Sequence, residues 1–284
     1  MLIYVRRRVS KSVQSMKGPP WLRWFGAIGS MFFFGVVPFC AGAESGPQKT
    51  IAMLIAGQSY DTERTLPAFA ERFLAADFRV VIVGGAMSNP LHRFEGLDQI
   101  ARADVLLVSV WRRTPPKEQL DVIRRHVMNG KPIVGIATAS HAFSRRNGVS
   151  LAETQADWPE WDVTVMGGSY LGHRRAGLIT SATAPEPNDP ILTDVSLPLR
   201  SKMELNQFGR LQPSAHVVLH GTVEGFAPEP VVWTFIRADG GRTFFTSLGH
   251  PEDFENPSFQ RMLLNGIRWA STRLTNSPRP STPR

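Results

Sequence analysis

Short, unbroken apolar runs separated by one-sided helical stripes constrain this chain more than any other feature. Ile51–Ala56, Arg79–Val83, Val105–Val108 and Pro132–Ile136 are each four to six residues long and mostly aliphatic. That is the pattern of strands buried on both faces of a sheet. Between the first two, Leu66, Phe69, Ala70, Phe73 and Leu74 recur at helical spacing, with Pro67 near the predicted helix start. Leu97, Ile100 and Ala101 suggest a short helix before the third run. Pro115 and Pro116 open another, in which Leu120, Ile123 and Val127 form the stripe and Gly130 the stop. Strands alternating with helices imply right-handed crossovers and a parallel sheet covered on both faces. The expected fold class is therefore α/β: a doubly wound, flavodoxin-like, mostly parallel sheet. Ligands of such sheets sit at the carboxyl ends of the strands. The loops to watch are then residues 57–64, 109–114 and 138–146.

The second half is less regular. Trp161–Val165, Gly177–Ser181, His216–Leu219 and Val231–Ile236 read as short strands. Asp239-Gly240-Gly241 signals a hairpin, with residues 242–248 as the returning strand. Asn256 caps a final helix whose stripe is Phe259, Met262, Leu263, Gly266, Ile267 and Ala270. The tail from 273 to 284 is rich in proline and serine and is expected to be disordered.

The first 43 residues read as a secretory signal peptide. Six basic residues (Arg6, Arg7, Arg8, Lys11, Lys17 and Arg23) precede an apolar run from Phe25 to Phe39, and Ala41-Gly42-Ala43 follows as a small-residue cleavage signal. The run is short for a membrane span, which needs roughly 20 residues, so a retained anchor is the alternative reading. Met16 is a second candidate start, and residues 44–49 read as a linker. Export, to the periplasm or outside the cell, removes most of the positive charge. The whole chain carries 32 basic and 24 acidic residues, a net charge of +8; without the leader the balance is 26 to 24. A nucleic-acid partner loses its main support. The single cysteine, Cys40, leaves too, and with it any disulfide, thiolate metal site or cysteine nucleophile.

Three clusters place a histidine beside glycine or serine: Gly135-Ile-Ala-Thr-Ala-Ser-His141, Gly167-Gly-Ser-Tyr-Leu-Gly-His173, and Gly241 through Gly249-His250-Pro251-Glu252. Val232-Trp-Thr, Gly240-Gly-Arg, Thr246-Ser-Leu-Gly-His250 and Phe259 through Leu263-Leu-Asn-Gly-Ile-Arg-Trp-Ala270 resemble the C-terminal signature of ThuA-like (trehalose-utilisation-like) proteins. Gly167-Gly168 with Gly172-His173 is similar to that family's central segment, and Thr138-Ala-Ser-His-Ala-Phe143 resembles a motif of its exported members. The resemblance spans residues 50–272 and implies a class I glutamine-amidotransferase-like α/β domain.

That parent fold carries Gly-x-Cys-x-Gly on a tight strand-to-helix turn, with a histidine and a glutamate two residues apart. The matching elbow here is Gly135-Ile136-Ala137-Thr138-Ala139, so Ala137 holds the nucleophile position. A methyl group cannot attack a carbonyl, which excludes glutaminase chemistry. His250-Pro251-Glu252 resembles the His-x-Glu pair, with Glu252 as the orienter of His250. Ser140 lies three residues past the elbow position and is a poor partner for its neighbour His141, because adjacent side chains ordinarily diverge. Ser140 could pair with His250 as a serine hydrolase, or simply cap the next helix. His141 is the leading candidate for acid/base chemistry or ligand contact. His173 and Tyr170 line the same site, against the plainer reading of a histidine closing a glycine-rich turn. His141, His173 and His250 could form a three-histidine metal site if they converge, but their spacing carries no metal signature. No cofactor follows from the sequence. His92, His126, His216 and His220 read as ordinary surface or strand histidines. Trp111 with Arg112 and Arg113, and Trp158 with Trp161, fall in loops and are candidate binding surfaces. The expected ligand, implied by the family's link to disaccharide utilisation, is a sugar or modified glycoside. A non-catalytic binding or scaffold module is the alternative, and homo-oligomer formation is left open.

Overall fold

The apolar runs become the centre of one sheet. A computed structural model describes residues 48–57, 60–85, 92–145, 147–174 and 177–272. The chain separates into two compact units, Met1–Glu44 and Ser45–Arg284, and every described residue lies in the second. Residues 1–47, which include the expected leader and Cys40, and the 273–284 tail lie outside the described residues.

Strand β1 (Lys49–Ala56) lies between β2 (Phe78–Gly84) and β3 (Val105–Val110), parallel to both. The sheet continues in parallel through β4 (Ile133–Ile136), whose far neighbour is a strand from the chain's end (Arg242–Thr246). Alternation along β1 explains why the run had to be apolar throughout. Ile51, Met53 and Ile55 enter the core on one face, and Ala52, Leu54 and Ala56 that on the other. Helix α1 (Thr62–Phe73) packs its Leu66, Phe69 and Ala70 on the first face. Helices α2 (Asp98–Arg102) and α3 (Lys117–Met128) cover the second through Ile100, Leu120 and Ile123. This is the doubly wound arrangement.

After the fourth strand the chain builds a small ribbon and then the antiparallel extension. Strand β5 (Tyr170–His173) pairs with β8 (Asn206–Phe208) as a separate two-stranded sheet. Between them come β6 (Thr180–Thr183) and β7 (Leu199–Ser201). Strands β9 (Ala215–Thr222), β10 (Glu229–Ile236) and β11 (Arg242–Thr246) complete a nine-stranded order β2-β1-β3-β4-β11-β10-β9-β6-β7. Only β10 and β6 run against the rest, so the sheet is mostly parallel in direction. Helix α4 (Pro257–Ser271) returns to the α1 face with Phe259, Met262, Leu263 and Ile267 buried. Asn256 caps it as expected, its side chain accepting from the Ser258 N–H.

Three local expectations fail. Residues Trp161–Val165, with alternating valines, do not form a strand: Asp162–Met166 is a single π-helical turn. Trp161 explains the difference, since its indole is fully buried and its Nε1–H donates to Ala139 O at 2.8 Å, which ties the segment to the turn after β4. Tertiary anchoring outweighs strand propensity here. The strand sought at 177–181 is displaced to Thr180–Thr183. Pro67 is inside α1 because the helix starts earlier: Asp61 adopts φ +49 and its carbonyl accepts from the Arg64 and Thr65 N–H groups.

Candidate functional site

The site begins at the strand-to-turn junction that follows β4. Gly135 has no room for a side chain, since a Cβ would meet Met166 Sδ at 2.6 Å and Phe245 Cδ2 at 2.7 Å. Residues Ala137–His141 then form a 3-10 turn. Ala137 adopts φ +55, a left-handed conformation that is costly for any residue with a Cβ. The backbone therefore has the strained strand-to-helix elbow that in hydrolytic folds projects a nucleophile, and the side chain there is a methyl. Thr138 Oγ1 donates to Val110 O at 2.9 Å and locks the turn to the end of β3.

The turn also brings Ser140 and His141 together. Ser140 Oγ lies 3.1 Å from His141 Nδ1, so the expected divergence of these neighbours is wrong: 3-10 winding folds both side chains inward. Ser140 is fully buried and caps no following helix; its hydroxyl supports His141. His141 is buried as well, and burial, followed by electrostatic coupling to Arg112 and to the neighbouring His173, pushes its pKa down to about 3. It is a neutral imidazole at any physiological pH.

Tyr170 lies against His141, with ring centroids 4.2 Å apart. Its Oη is 2.8 Å from His173 Nδ1, and His173 Nε2 is 3.3 Å from Glu204 Oε2. Tyr60, in the loop after β1, joins the same electrostatic field. Burial first, then the Glu204 carboxylate and coupling to the neighbouring Tyr170 phenol, push its pKa up to about 12. Tyr170 is also raised by burial, while Arg112 pulls the other way. Trp111 and Arg112 follow β3 directly, and the Trp111 N–H donates to Ala56 O at 3.1 Å, which holds their loop over the carboxyl ends of β1 and β3. The structure thus gathers Ser140, His141, Tyr170 and His173 with Tyr60, Arg112 and Glu204.

His250 and Glu252 are arranged differently. His250 follows Gly249, where a Cβ would lie 3.5 Å from Ala137 Cβ, so this loop borders the elbow. The His250 Nδ1 accepts from the Glu252 backbone N–H at 3.3 Å as the cap of a 3-10 turn. The Glu252 carboxylate is exposed and takes a proton-rich partner elsewhere, Lys202 Nζ at 2.6 Å, which holds its pKa below the usual range. The buried carboxylate of this loop is Asp253, which accepts from Ser201 Oγ (2.7 Å), Gly249 N (2.9 Å) and His250 N (2.9 Å). A neighbour of the expected glutamate therefore fixes the His250 backbone.

Among the described residues, no three or more His, Cys, Asp or Glu are grouped so that they could hold a metal ion. Both His173 nitrogens already face Tyr170 and Glu204. Trp161 is fully buried and offers no binding surface, whereas Trp158 is half-buried, packed edge-to-face on Trp161 with the Arg124 guanidinium over its ring. His126 is buried in α3, where Nε2 faces Pro132 O at 3.3 Å. His92 Nδ1 accepts from the Thr114 N–H at 3.0 Å, and His216 Nε2 pairs with buried Asp189 at 2.8 Å.

Glu204 and Tyr60 went unnoticed at the level of sequence. Tyr60 lies in a loop already marked by its position after β1. Glu204 had no such signal, since it sits between two three-residue strands in the irregular half. Elsewhere, a depression of about 150 Å³ on the α1–α4 face is lined by Arg64, Phe69, Arg72, Phe73, Phe254 and Gln260, and Pro251 is the one residue of the His250-Pro251-Glu252 motif that borders it.

Two crystal structures of ThuA-like proteins share this architecture. That from Bacteroides uniformis aligns with a TM-score of 0.57 at 16% identity, over 81% of this chain and 94% of its own. That from Parabacteroides merdae gives 0.53 at 15% identity, over 83% and 95%. A cold-adapted β-galactosidase from Rahnella sp. R3 gives 0.51 at 12% identity; 82% of this chain matches only 33% of that one. At these identities the likeness is one of fold. No curated protein matches the sequence. The ThuA family model, described as trehalose utilisation, matches residues 54–270, and the chain belongs to that family.

Proposed function

We propose that this protein is exported and binds or transforms a sugar or modified glycoside at the carboxyl edge of its sheet, with no glutaminase activity. The observation that carries the reading is the Tyr170 constellation. An aromatic ring packed at a tilt against a neutral imidazole adjoins a phenol–imidazole–carboxylate chain and the positive field of Arg112. Sugar sites combine an apolar ring face with a few fixed donors and acceptors, and these residues supply both. The acid/base or polar contacts fall to His141 and Tyr170, with His173 beside them and His250 at the border of the elbow. Glutaminase chemistry needs a nucleophile at the elbow, and Ala137 has none.

A thermal-shift screen of mono- and disaccharides and their keto derivatives, with product analysis of each hit, tests this. Stabilisation by a saccharide that is lost in His141→Ala and Tyr170→Phe supports the reading; no stabilisation by any of them defeats it. The second reading is a non-catalytic binding module. It is favoured by the methyl at the elbow together with the diversion of Glu252 to Lys202, and it expects stabilisation without product.

A further inference from the structure

In a regular strand, residues three apart point to opposite faces. Tyr170 and His173 are three apart on β5, yet Tyr170 Oη is 2.8 Å from His173 Nδ1. The ladder shows how. Pairing steps from Tyr170↔Phe208 to Gly172↔Gln207, so two residues advance on β5 for one on β8. That is a bulge, and Gly172 sits in it at φ +149, a conformation suited to glycine. A bulge re-aims side chains, and here it brings the phenol and the imidazole to one side. The chain leading into the ribbon's other strand delivers Glu204, two residues before β8, to the remaining ring nitrogen.

The chain of contacts has a direction. An ionised carboxylate only accepts, so Glu204, 3.3 Å from His173 Nε2, favours the tautomer with the proton on that nitrogen. Nδ1 is then an acceptor, and Tyr170 must be the donor. The phenol hydrogen is thereby committed inward and the lone pairs of Oη are left to accept. We propose that Glu204, His173 and Tyr170 form a relay in which Tyr170 Oη accepts a proton or hydrogen bond from a hydroxyl of a bound saccharide, Glu204 being the positioning residue. The saccharide in this statement rests on the function proposed above; the relay itself does not. In a full transfer the ligand O–H bond breaks and its proton goes to Oη. The phenol proton moves to Nδ1, and the imidazolium so formed faces the Glu204 carboxylate. The ligand oxygen keeps the electron pair in the positive field of Arg112, and reversal restores every group. This assigns Tyr170 a catalytic role and reproduces the carboxylate–imidazole logic of serine triads on a phenol.

Nitrogen-15 NMR of the histidine rings in the purified protein tests the relay without any ligand. His173 is expected to bear its proton on Nε2, with that proton slow enough in exchange to be seen. Tyr170→Phe should keep it and shift only the Nδ1 resonance, whereas Glu204→Leu should lose it to exchange. A proton on Nδ1 in the unaltered protein, or an Nε2 proton indifferent to Glu204→Leu, overturns the proposal. Any saccharide found to bind should bind about tenfold more weakly to either variant, and equal affinity in all three proteins also overturns it. If no saccharide binds while the NMR results hold, the sugar reading falls and the relay stands.

Discussion

Acidification should destabilise this fold well before its carboxylates are protonated, because two of its histidines are held neutral. Burial, partly offset by the Pro132 carbonyl, lowers His126 from an ordinary 6.5 to about 4; burial, Arg112 and His173 lower His141 to about 3. At pH 7 the folded and unfolded states are both nearly unprotonated at these rings. At pH 5 the unfolded chain binds a proton at each and the folded chain hardly any. Stability is therefore complete above 6.5 and is lost as the pH falls towards the folded values. Each histidine costs about 2 kcal/mol between pH 7 and pH 5, and the two together about 4 kcal/mol. A domain of this kind has about 5–15 kcal/mol in all, so the loss is large. Asp162 and Asp253, both raised by burial, act in the opposite sense at the acid end. A variant is therefore needed to isolate the histidine contribution. Urea unfolding at both pH values should show His126→Gln losing about 2 kcal/mol less than the unaltered protein on acidification. An identical loss in the two proteins, or stability that does not fall between pH 7 and pH 5, would refute the reasoning.

Further outcomes are expected. Ala137→Gly should raise stability by about 0.5–1 kcal/mol, as relief of the left-handed strain exceeds the added chain entropy; urea unfolding reads this, and a loss would mean the elbow is unstrained. Asp253→Ala should cost about 3 kcal/mol or more, since it orphans three donors in a buried loop; calorimetric melting checks it. Gly172→Ala should cost about 1–3 kcal/mol, because alanine resists φ +149. The same substitution should weaken the Tyr170–His173 contact, seen as a shifted His173 Nδ1 resonance. A fluorophosphonate probe should leave Ser140 unlabelled, because its hydroxyl is buried against His141; labelling seen by mass spectrometry would contradict this.

The fold was largely legible in the sequence where one physical requirement dominated. Strands buried on both faces had to be apolar throughout, and α4 announced itself by Asn256, Pro257 and an apolar stripe. The turn at Trp161 was not legible, because the indole bond to Ala139 that sets it joins segments 22 residues apart. His126 could have been read, since it lies three residues after Ile123 on the buried stripe of α3. The candidate site divides in the same way. His141, Tyr170 and His173 stood out through their glycine neighbours, because glycine marks the turn and the bulge that aim them. Glu204 meets His173 only after the β5–β8 ribbon pairs, and no local pattern encodes that pairing. The reassignment of Glu252 depends on Lys202, 50 residues away, and was equally hidden.

The central claim is that a saccharide occupies the site built on Tyr170, beside an elbow whose tip is the Ala137 methyl. Titrating a disaccharide into isotopically labelled protein and mapping the NMR shifts tests it most directly. The account expects saturable shifts centred on the rings of His141 and His173 and on Tyr170, absent in Tyr170→Phe. Shifts confined to the depression between Arg72 and Phe254, or no saturable shift with any disaccharide tried, would contradict it.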